Sequence, residues 1–438
     1  MRKKLSGFSP ISMFNRLIPL RFILILSTFL LTILLYIDRA CISAAKEDIL
    51  SDLDFSLTDF GWVMAMFTLG YALFQAPSGK LADRHGPRAI IATIVGIWSV
   101  LTAMTGAAWN FVSMLIIRFL FGAGEAGAFP SLAKVVFNWF PVRERGIVQG
   151  INFSGSRLGA AFALPLVAWM LIHVGWRMTF MIFGACGLVF SSAWWFLFRN
   201  KPEESRLITT EEREYILSNR QQPSAGNRSG VPFSRIIRSG TMWITMVQYI
   251  CSNFTFYFTL TWMYPYLKDR FSLGGLEAGF YSMAPLIGGA LGNWFSGILV
   301  DVLYRSGFPG LSRRLPAISG FLLAAFGMIM MALADTPQSS IIFLTVAIFG
   351  ADMTLSPSWA YCIDIGKENA GTVSGTMNMA GNLGAFVTII AFPYLLEWTG
   401  NHETFFYVCS GLSIVAIIMW LYMKPDREIT GRNENSNH

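Results

Sequence analysis

Residues 79–88 read Gly-Lys-Leu-Ala-Asp-Arg-His-Gly-Pro-Arg, a charged stretch between two long apolar runs. Its opening pattern, Gly-x-Leu-x-Asp at 79–83, recurs at 297–301, which is 218 residues further along the chain. A second group of matched residues within 146–160 recurs within 371–385 at a spacing of 225. Two matches in the same order and at nearly the same spacing indicate that the chain consists of two related halves.

The composition around this stretch indicates a membrane protein. Apolar residues make up 54% of the 438 positions, whereas Asp, Glu, Lys and Arg together make up 13%. A typical water-soluble domain carries about 25% charged residues, so this chain falls outside that class. The five cysteines show no CxxC spacing and the four histidines fall at predicted loops or ends, so we expect neither a disulfide framework nor a metal site.

Twelve apolar runs are long enough to cross a bilayer, which takes about 20 helical residues. The predicted spans are 20–43, 60–79, 89–108, 111–135, 147–171, 177–198, 241–265, 278–301, 315–334, 340–363, 371–395 and 404–423. The sequence therefore predicts an all-α membrane protein with twelve transmembrane helices in two pseudo-symmetric six-helix halves. The expected division is an N-terminal six-helix bundle at 1–198, a cytoplasmic linker at 199–240, a C-terminal bundle at 241–423 and a cytoplasmic tail at 424–438.

The distribution of Lys and Arg predicts the orientation in the membrane. One set of alternate loops and both termini hold 25 of these residues, whereas the opposite loops hold four. Because positive loops stay on the cytoplasmic side, we expect both termini in the cytoplasm and the protein in a bacterial inner membrane. The net charge of +7 is then explained by membrane topology, without a nucleic-acid partner. An alternative is that the first apolar run is a signal peptide cleaved after residues 43–45.

Arg118 and Glu125 are the only formal charges between Arg88 and Lys134. Seven residues correspond to about two helical turns, so the two side chains lie on one face of the predicted helix. Ionisable groups at membrane depth are costly and are kept mostly where they pair, line a cavity or bind a ligand. We therefore predict a binding and proton-coupling site, with a purely structural ion pair as the alternative.

The stretch at 79–88 resembles the loop signature of the major facilitator superfamily, G-x-L-A-D-R-x-G-x-R, and 297–301 resembles a reduced second copy. The physical interpretation is that Asp83 reaches the start of a neighbouring helix and latches the two halves while the outer side is open. A plain positive loop is the alternative. The predicted latch residues are Gly79, Asp83, Arg84, Gly86 and Arg88.

Asp38-Arg39 in the first span, together with Arg118 and Glu125, resembles the anion:cation symporter branch of that superfamily. This resemblance covers nearly the whole chain and implies that Arg39 and Arg118 contact a substrate carboxylate. It also implies that Asp38 and Glu125 are the protonatable pair. The further substrate-binding positions that it implies are Tyr36, Tyr71, Ser156, Ser356, Ser358, Trp359, Asn378 and Asn382.

Two charged residues do not fit the branch pattern. Asp352 in the tenth span is either a third titrating group or a partner for Arg157. Arg157 stands where the second half has Asn382. Ser156 replaces the larger amide of galactonate permeases, which leaves the sugar acid undefined.

Together these observations predict a proton-coupled importer of organic anions that works by alternating access and is not an enzyme. We expect a sugar acid as substrate (an aldonate, aldarate or hexuronate), no cofactor besides the coupling proton, contact with membrane lipid, and a monomer. The first alternative keeps the fold and carries an aromatic carboxylate such as phthalate. The second is a transporter-like receptor that binds its ligand without moving it, and intramembrane catalysis is the least supported.

Overall fold

The computed structural model describes residues 19–221, 232–273, 275–424 and 429. These ranges are built from α-helices and short 3-10 turns, and no strand occurs within them. The basic N-terminal start, the middle of the predicted linker and most of the predicted tail lie outside the described residues. The all-helical class predicted from the apolar runs is confirmed.

The described residues of the N-terminal half form seven helices. They are α1 Leu20–Ala44, α2 Lys46–Leu53, α3 Leu57–His85, α4 Pro87–Gly106, α5 Phe111–Glu125, α6 Ala128–Trp139 and α7 Arg145–Leu197. The last of these is 53 residues long and is interrupted at Gly175, whose φ of 73° is not helical. A positive φ is readily adopted by glycine, so Gly175 forms the turn between two antiparallel spans.

Two short helices, α8 Thr210–Asn219 and α9 Phe233–Arg238, lie in the predicted linker. The C-terminal half then follows. It comprises α10 Gly240–Thr261, α11 Met263–Phe271, α12 Gly275–Arg305, α13 Pro309–Ala332, α14 Pro337–Met353, α15 Leu355–Gly366, α16 Ala370–Thr399 and α17 Glu403–Tyr422.

Each of the twelve predicted spans coincides with helix, apart from one or two residues at ends and breaks. Eight segments of the described chain are long and apolar enough to cross a membrane by length and composition alone. One of them, Pro337–Ile389, covers the tenth predicted span and most of the eleventh, with no extended loop between them. The arrangement is consistent with twelve crossings. Two spans are broken in similar places, between α5 and α6 and between α14 and α15.

Sequence signals explain how the signature stretch folds. Gly86 ends α3 with a φ of 84°, and Pro87 occupies the first turn of α4. Proline suits this position because the first helical N–H has no intrahelical acceptor. The stretch is therefore a tight helix–turn–helix at one end of the bundle. We call that end the linker face, because it carries Asp83, Asp301 and residues 199–221.

The two halves meet along two helix pairs. Helix α3 packs along α16, and α7 packs along α12. Glycines allow the backbones to approach closely, since a Cβ on Gly79 would overlap the carbonyl oxygen of Gly371. On the second pair, a Cβ on Gly297 would lie only 2.7 Å from the carbonyl oxygen of Gly146. The repeated glycines thus contact each other crosswise between the halves.

Candidate substrate cavity and latch

A cavity lies between the halves and receives side chains from both. Its wall combines aromatic rings with a few charged and amide groups. The lining residues are Tyr36, Arg39, Tyr71, Phe129, Phe153, Ser156, Arg157, Tyr249, Ser252, Asn253, Phe256, Tyr257, Asp352, Leu355, Trp359, Asn378 and Asn382. Concave, largely apolar sites with a few placed polar groups are typical of small-molecule binding.

Arg39 joins this cavity to the buried Glu125. Its Nε donates a hydrogen bond of 2.9 Å to Glu125 Oε1, and the Glu125 side chain is 1% exposed. The guanidinium also lies over the rings of Tyr71 at 4.4 Å and Tyr36 at 5.0 Å from their centroids. Arg39 therefore presents a fixed positive charge to the cavity, held from behind by a carboxylate and at the sides by rings.

Asp38 and Arg118 lie behind the cavity wall. Adjacent residues on a helix diverge by about 100°, so Asp38 points away from the face that carries Arg39. Arg118 lies over the rings of Phe121 at 4.6 Å and Phe67 at 5.1 Å. Asp38 Oδ1 and Arg118 Nε and Nη1 are buried and have no hydrogen-bond partner among the described residues. Their predicted roles in proton coupling and substrate contact stay predictions, and neither side chain lines the cavity in this structure.

Arg157 and Asp352 form a second buried ion pair, and both line the cavity. Arg157 Nε donates to Asp352 Oδ2 at 2.6 Å and Nη2 donates to Oδ1 at 2.7 Å. Asn293 Nδ2 also donates to Asp352 Oδ2, at 3.2 Å, and the guanidinium lies 3.6 Å from the Phe256 ring centroid. Of the two roles that the sequence left open for Asp352, this geometry favours a partner for Arg157.

Amide and hydroxyl groups occupy the part of the cavity formed by the C-terminal half. Tyr257 donates its hydroxyl proton to Asn382 Oδ1 at 3.0 Å. Asn382 Nδ2 donates to the Asn378 carbonyl at 2.8 Å, as expected for two residues on one face of α16. Trp359 Nε1 donates to the Tyr249 hydroxyl at 3.0 Å. These groups are the hydrogen-bonding complement that a hydroxylated ligand requires.

The hydroxyl groups of the three predicted serines make contacts within the protein itself. Ser156 lines the cavity, but its hydroxyl donates to the Phe153 carbonyl at 2.6 Å. Ser358 donates to the Thr354 carbonyl at 2.6 Å, and Ser356 packs between α7 and α12 beside Gly150 and Asn293. Ser356 and Ser358 do not line the cavity in this structure. Small polar residues at close helix contacts give the same sequence pattern as ligand-binding serines.

At the linker face, Asp83 binds the start of α16 on the other half. Its carboxylate accepts from the backbone N–H of Gly371 at 3.0 Å and of Thr372 at 2.7 Å, and from the Thr372 hydroxyl at 2.7 Å. The first N–H groups of a helix have no intrahelical partner and carry partial positive charge. Asp83 thus contacts the start of a helix in the other half, and Gly79 supplies the close backbone approach beside it.

The reduced copy makes the same contact from the other half. Asp301 accepts hydrogen bonds of 2.9 Å from the backbone N–H groups of both Gly146 and Ile147, at the start of α7. The two interactions are related by the internal repeat and close the same face of the bundle.

The remaining signature residues act within their own half. Gly86 and the Arg88 N–H contact the Asn200 side chain, and Arg88 Nε donates to the Trp195 carbonyl at 2.9 Å. Arg84 is exposed. These contacts anchor the turn to the start of the predicted linker rather than to the opposite half. The predicted latch role of these three residues stays a prediction.

Sequence reasoning missed two ionic contacts at the linker face. Lys134 Nζ lies 3.6 Å from Asp83 Oδ1 and also donates to the Glu368 carbonyl. Asp364 accepts from Arg145 at 2.5 Å and from Arg313 at 2.8 Å. A lysine inside a predicted span was the available signal for the first contact. Asp364 and these two arginines come from three separate stretches, which a single sequence does not connect.

Comparison with known proteins gives consistent results. The sequence profile of the Major Facilitator Superfamily matches residues 28–389. A probable sulfoacetate transporter of Cupriavidus necator is 29% identical over 391 residues, covering 89% of this chain and 90% of that protein. A probable L-galactonate transporter of Escherichia coli is 26% identical over 397 residues, covering 90% and 87% respectively.

Solved structures show the same fold. The proton:xylose symporter bound to 6-bromo-6-deoxy-D-glucose superposes with a TM-score of 0.72 over 92% of this chain and 96% of that chain. Its sequence identity is 17%, so this likeness concerns the fold alone.

Proposed function

Since the chain belongs to the Major Facilitator Superfamily, we propose that it is a proton-coupled symporter that imports an organic anion by alternating access. The family consists of membrane transporters and not of enzymes, as the sequence predicted. The proposed cargo is a sugar acid, which means an aldonate, aldarate or hexuronate. The relatives named for sulfoacetate and L-galactonate support an organic anion as the cargo.

The observation that carries this proposal is the contact of Arg39 with both the cavity and Glu125. A guanidinium keeps its charge at any working pH and binds a carboxylate through two parallel hydrogen bonds. A substrate carboxylate that docks on Arg39 competes with Glu125 for the same donors. Glu125 is then left buried with a weaker partner, which favours its protonation. Anion binding and proton uptake are coupled in this way, with Asp38 as the second proposed proton carrier.

Hydroxyl groups of a sugar acid match the amides and phenols across the cavity. Asn378, Asn382 and Tyr257 offer donors and acceptors there, while Tyr36 and Tyr71 flank Arg39. Apolar sugar faces pack on rings, and Trp359 and Phe153 lie 5.3 Å apart in the same wall.

The aromatic wall also favours a second candidate, an aryl carboxylate. Phe129 and Phe153 are stacked with centroids 5.2 Å apart, and Trp359 adjoins both. The three predicted serines add no free hydroxyl for a polyol in this structure, because they donate to backbone carbonyls or pack between helices. A ring without hydroxyl groups makes no further hydrogen bond to the Asn378 and Asn382 side chains, so it gains less from this side of the cavity than a sugar acid does.

Alternating access is proposed to proceed through the linker face. In this structure Asp83 and Asp301 hold the two halves together there, so opening toward that side requires both contacts to break. With the orientation predicted from Lys and Arg, the linker face is cytoplasmic, both termini are inside, and the protein acts as a monomer in the bacterial inner membrane.

A ligand screen and a transport assay together test the proposal. Purified protein is heated with aldonates, aldarates, hexuronates and aryl carboxylates, because a ligand at a hundred times its Kd stabilises by about 2.7 kcal/mol. Each ligand that shifts the unfolding midpoint is then offered, radiolabelled, to proteoliposomes with an imposed proton gradient. Stabilisation and uphill uptake of a sugar acid are expected. Stabilisation only by aryl carboxylates selects the second candidate, and binding without uptake selects a receptor.

A further inference from the structure

The Arg157–Asp352 pair is not used by the mechanism proposed above. Both side chains line the cavity, and they are 4% and 1% exposed. The pair joins α7 of the N-terminal half to α14 of the C-terminal half. Asp352 receives three hydrogen bonds, two from Arg157 and one from Asn293. A charged pair in this position needs an explanation, because charges at membrane depth are costly.

Asp352 lies near a helix break in the second half, as Glu125 does in the first. Glu125 is the last residue of α5, and α6 begins at Ala128. Asp352 is the second-last residue of α14, and α15 begins at Leu355. The two acids are 227 positions apart, two more than the repeat spacing of 225 at residues 146–160, so they match by their place beside the helix break and not residue by residue. Each acid therefore lies beside a break in a corresponding helix, and each holds an arginine that lines the cavity.

The pairing leaves the cavity with two guanidiniums that are each neutralised by one carboxylate. An anionic group that docks on either arginine displaces that carboxylate and leaves it buried without its partner. A buried carboxylate in that situation is strongly destabilised unless it takes up a proton. One bound anionic group is therefore balanced by one proton at each pair.

We propose that Arg157 and Asp352 form a second anion-binding and proton-accepting pair, and that the preferred substrate is a dianion. One anionic group of the substrate binds Arg39, the other binds Arg157, and Asp352 accepts one proton in addition to those of the first site. The second group is a carboxylate or a sulfonate, since both present oxygens to a guanidinium fork. Within the sugar acids this selects aldarates over aldonates, so the inference rests on the proposed function.

The competing explanation is a static cross-link between the halves. Arg157 and Asp352 come from opposite halves, and a permanent pair near the cavity would serve as a pivot. A pivot affects all ligands alike, whereas an anion-binding pair affects only a ligand with a second anionic group. The ratio of affinities for a matched dianion and monoanion therefore separates the two explanations.

D-Glucarate and D-gluconate are suitable probes, because they differ only in the carboxylate or hydroxymethyl group at C6. Titration calorimetry of purified full-length protein gives both affinities. Repeating the titration in buffers of different ionisation enthalpy gives the protons taken up. The wild-type protein is expected to prefer D-glucarate by about tenfold or more, as one charge-assisted contact provides. It is also expected to take up one more proton with D-glucarate than with D-gluconate.

Two variants assign these effects to the pair. Asp352→Asn is expected to keep the preference for D-glucarate and to lose the extra proton. Because Asp352→Asn leaves Arg157 buried without its counter-ion, the neutral double variant Arg157→Gln/Asp352→Asn serves as a second probe that removes both charges together. It is expected to reduce the preference for D-glucarate to about twofold or less.

Equal affinities of the wild-type protein for the two probes would overturn the inference and leave the proposed function intact. A double variant that weakens both probes by the same factor would show that the pair is a static cross-link. An extra proton that persists in Asp352→Asn would place that proton on another group and would equally overturn the assignment. Failure of every sugar acid to bind would overturn the proposed function itself, which the ligand screen detects independently.

Discussion

Asp83 and Gly371 lie on opposite halves of the bundle, and the Asp83 carboxylate accepts a hydrogen bond of 3.0 Å from the Gly371 backbone N–H. Asp301 and Gly146 form the corresponding contact at 2.9 Å. In both cases a carboxylate at the end of one helix caps the start of a helix in the other half. These contacts contain no substrate-binding group. They therefore stabilise one conformation of the transporter without adding affinity for its cargo.

The first prediction is that Asp83→Asn slows transport much more than it weakens binding. An amide keeps the size of the side chain but loses the charge that favours the N-terminus of α16, a loss of about 0.3–1 kcal/mol or more for a partly buried cap. It also presents an NH2 group where Asp83 now accepts from Gly371 and Thr372. The measurements are initial uptake rates in proteoliposomes and the substrate Kd of purified protein.

Asp48→Asn is the matched control, because Asp48 is an exposed aspartate in the short helix α2 and belongs to neither linker-face contact. It is expected to reduce uptake much less than Asp83→Asn does. Losses of the same size in uptake rate and affinity for Asp83→Asn would refute the latch.

The second prediction concerns the close contact of α3 with α16. Gly79→Ala places a methyl group against the Gly371 carbonyl, so the two helices must separate at the linker face. Overpacking of this kind costs about 1–3 kcal/mol. We expect a lower unfolding midpoint. We also expect longer distances between spin labels placed on the linker-face ends of α3 and α16.

Gly61→Ala on the same helix is the control, because no atom of the described residues lies within 4 Å of a Cβ at that position. Alanine there is expected to leave the distances unaltered and to stabilise the helix slightly. A Gly79→Ala variant with the distances and midpoint of Gly61→Ala would show that the contact is not close in the membrane.

The third prediction is that Arg118→Lys abolishes uptake although the charge is kept. The guanidinium of Arg118 lies over the rings of Phe67 and Phe121, and a lysine ammonium reproduces neither the planar stacking nor the fork. Arg206→Lys, at an exposed linker position, is the control for the substitution itself. Wild-type uptake by Arg118→Lys would show that Arg118 acts as a point charge or supports the structure only.

The internal repeat explains why so much of the fold was predictable. The pattern at 79–83 recurs at 297–301, and both copies begin with a glycine. A glycine is needed at each of these positions because the backbones of two helices touch there. The divergence of Asp38 from Arg39 follows from the helical rotation of about 100° per residue. Such features depend on local geometry, which can be inferred from a single sequence.

The partner of a buried charge depends on packing between distant segments and was less predictable. Arg118 and Glu125 share a helix face, yet Glu125 binds Arg39, whereas the Arg118 guanidinium lies over the rings of Phe67 and Phe121. Ser356 and Ser358 are small polar residues of the kind that bind ligands, but in this structure Ser356 packs between helices and Ser358 donates to a backbone carbonyl. Periodicity gives the face of a helix and does not say whether that face borders a cavity or another helix.

The last prediction separates binding from coupling at Glu125. Glu125→Gln resembles the protonated carboxyl group permanently, and it keeps an oxygen that accepts from Arg39. The variant is therefore expected to bind the anion and to exchange it across proteoliposomes. Because no proton is taken up at residue 125, affinity should fall less as pH rises than it does in the wild-type protein, as linkage between the two ligands requires.

Accumulation against a concentration gradient is the decisive measurement for Glu125→Gln. Exchange needs only alternating access of the loaded carrier, whereas accumulation needs a proton that enters with the anion and leaves with it. We expect uphill uptake, driven by an imposed proton gradient, to be lost while counterflow persists. Asp59→Asn, at an exposed site far from the cavity, controls for removal of an acid. If Glu125→Gln accumulated the anion to the wild-type level, the required proton would have to be carried by Asp38 or Asp352, and the competition for Arg39 would not be the coupling step.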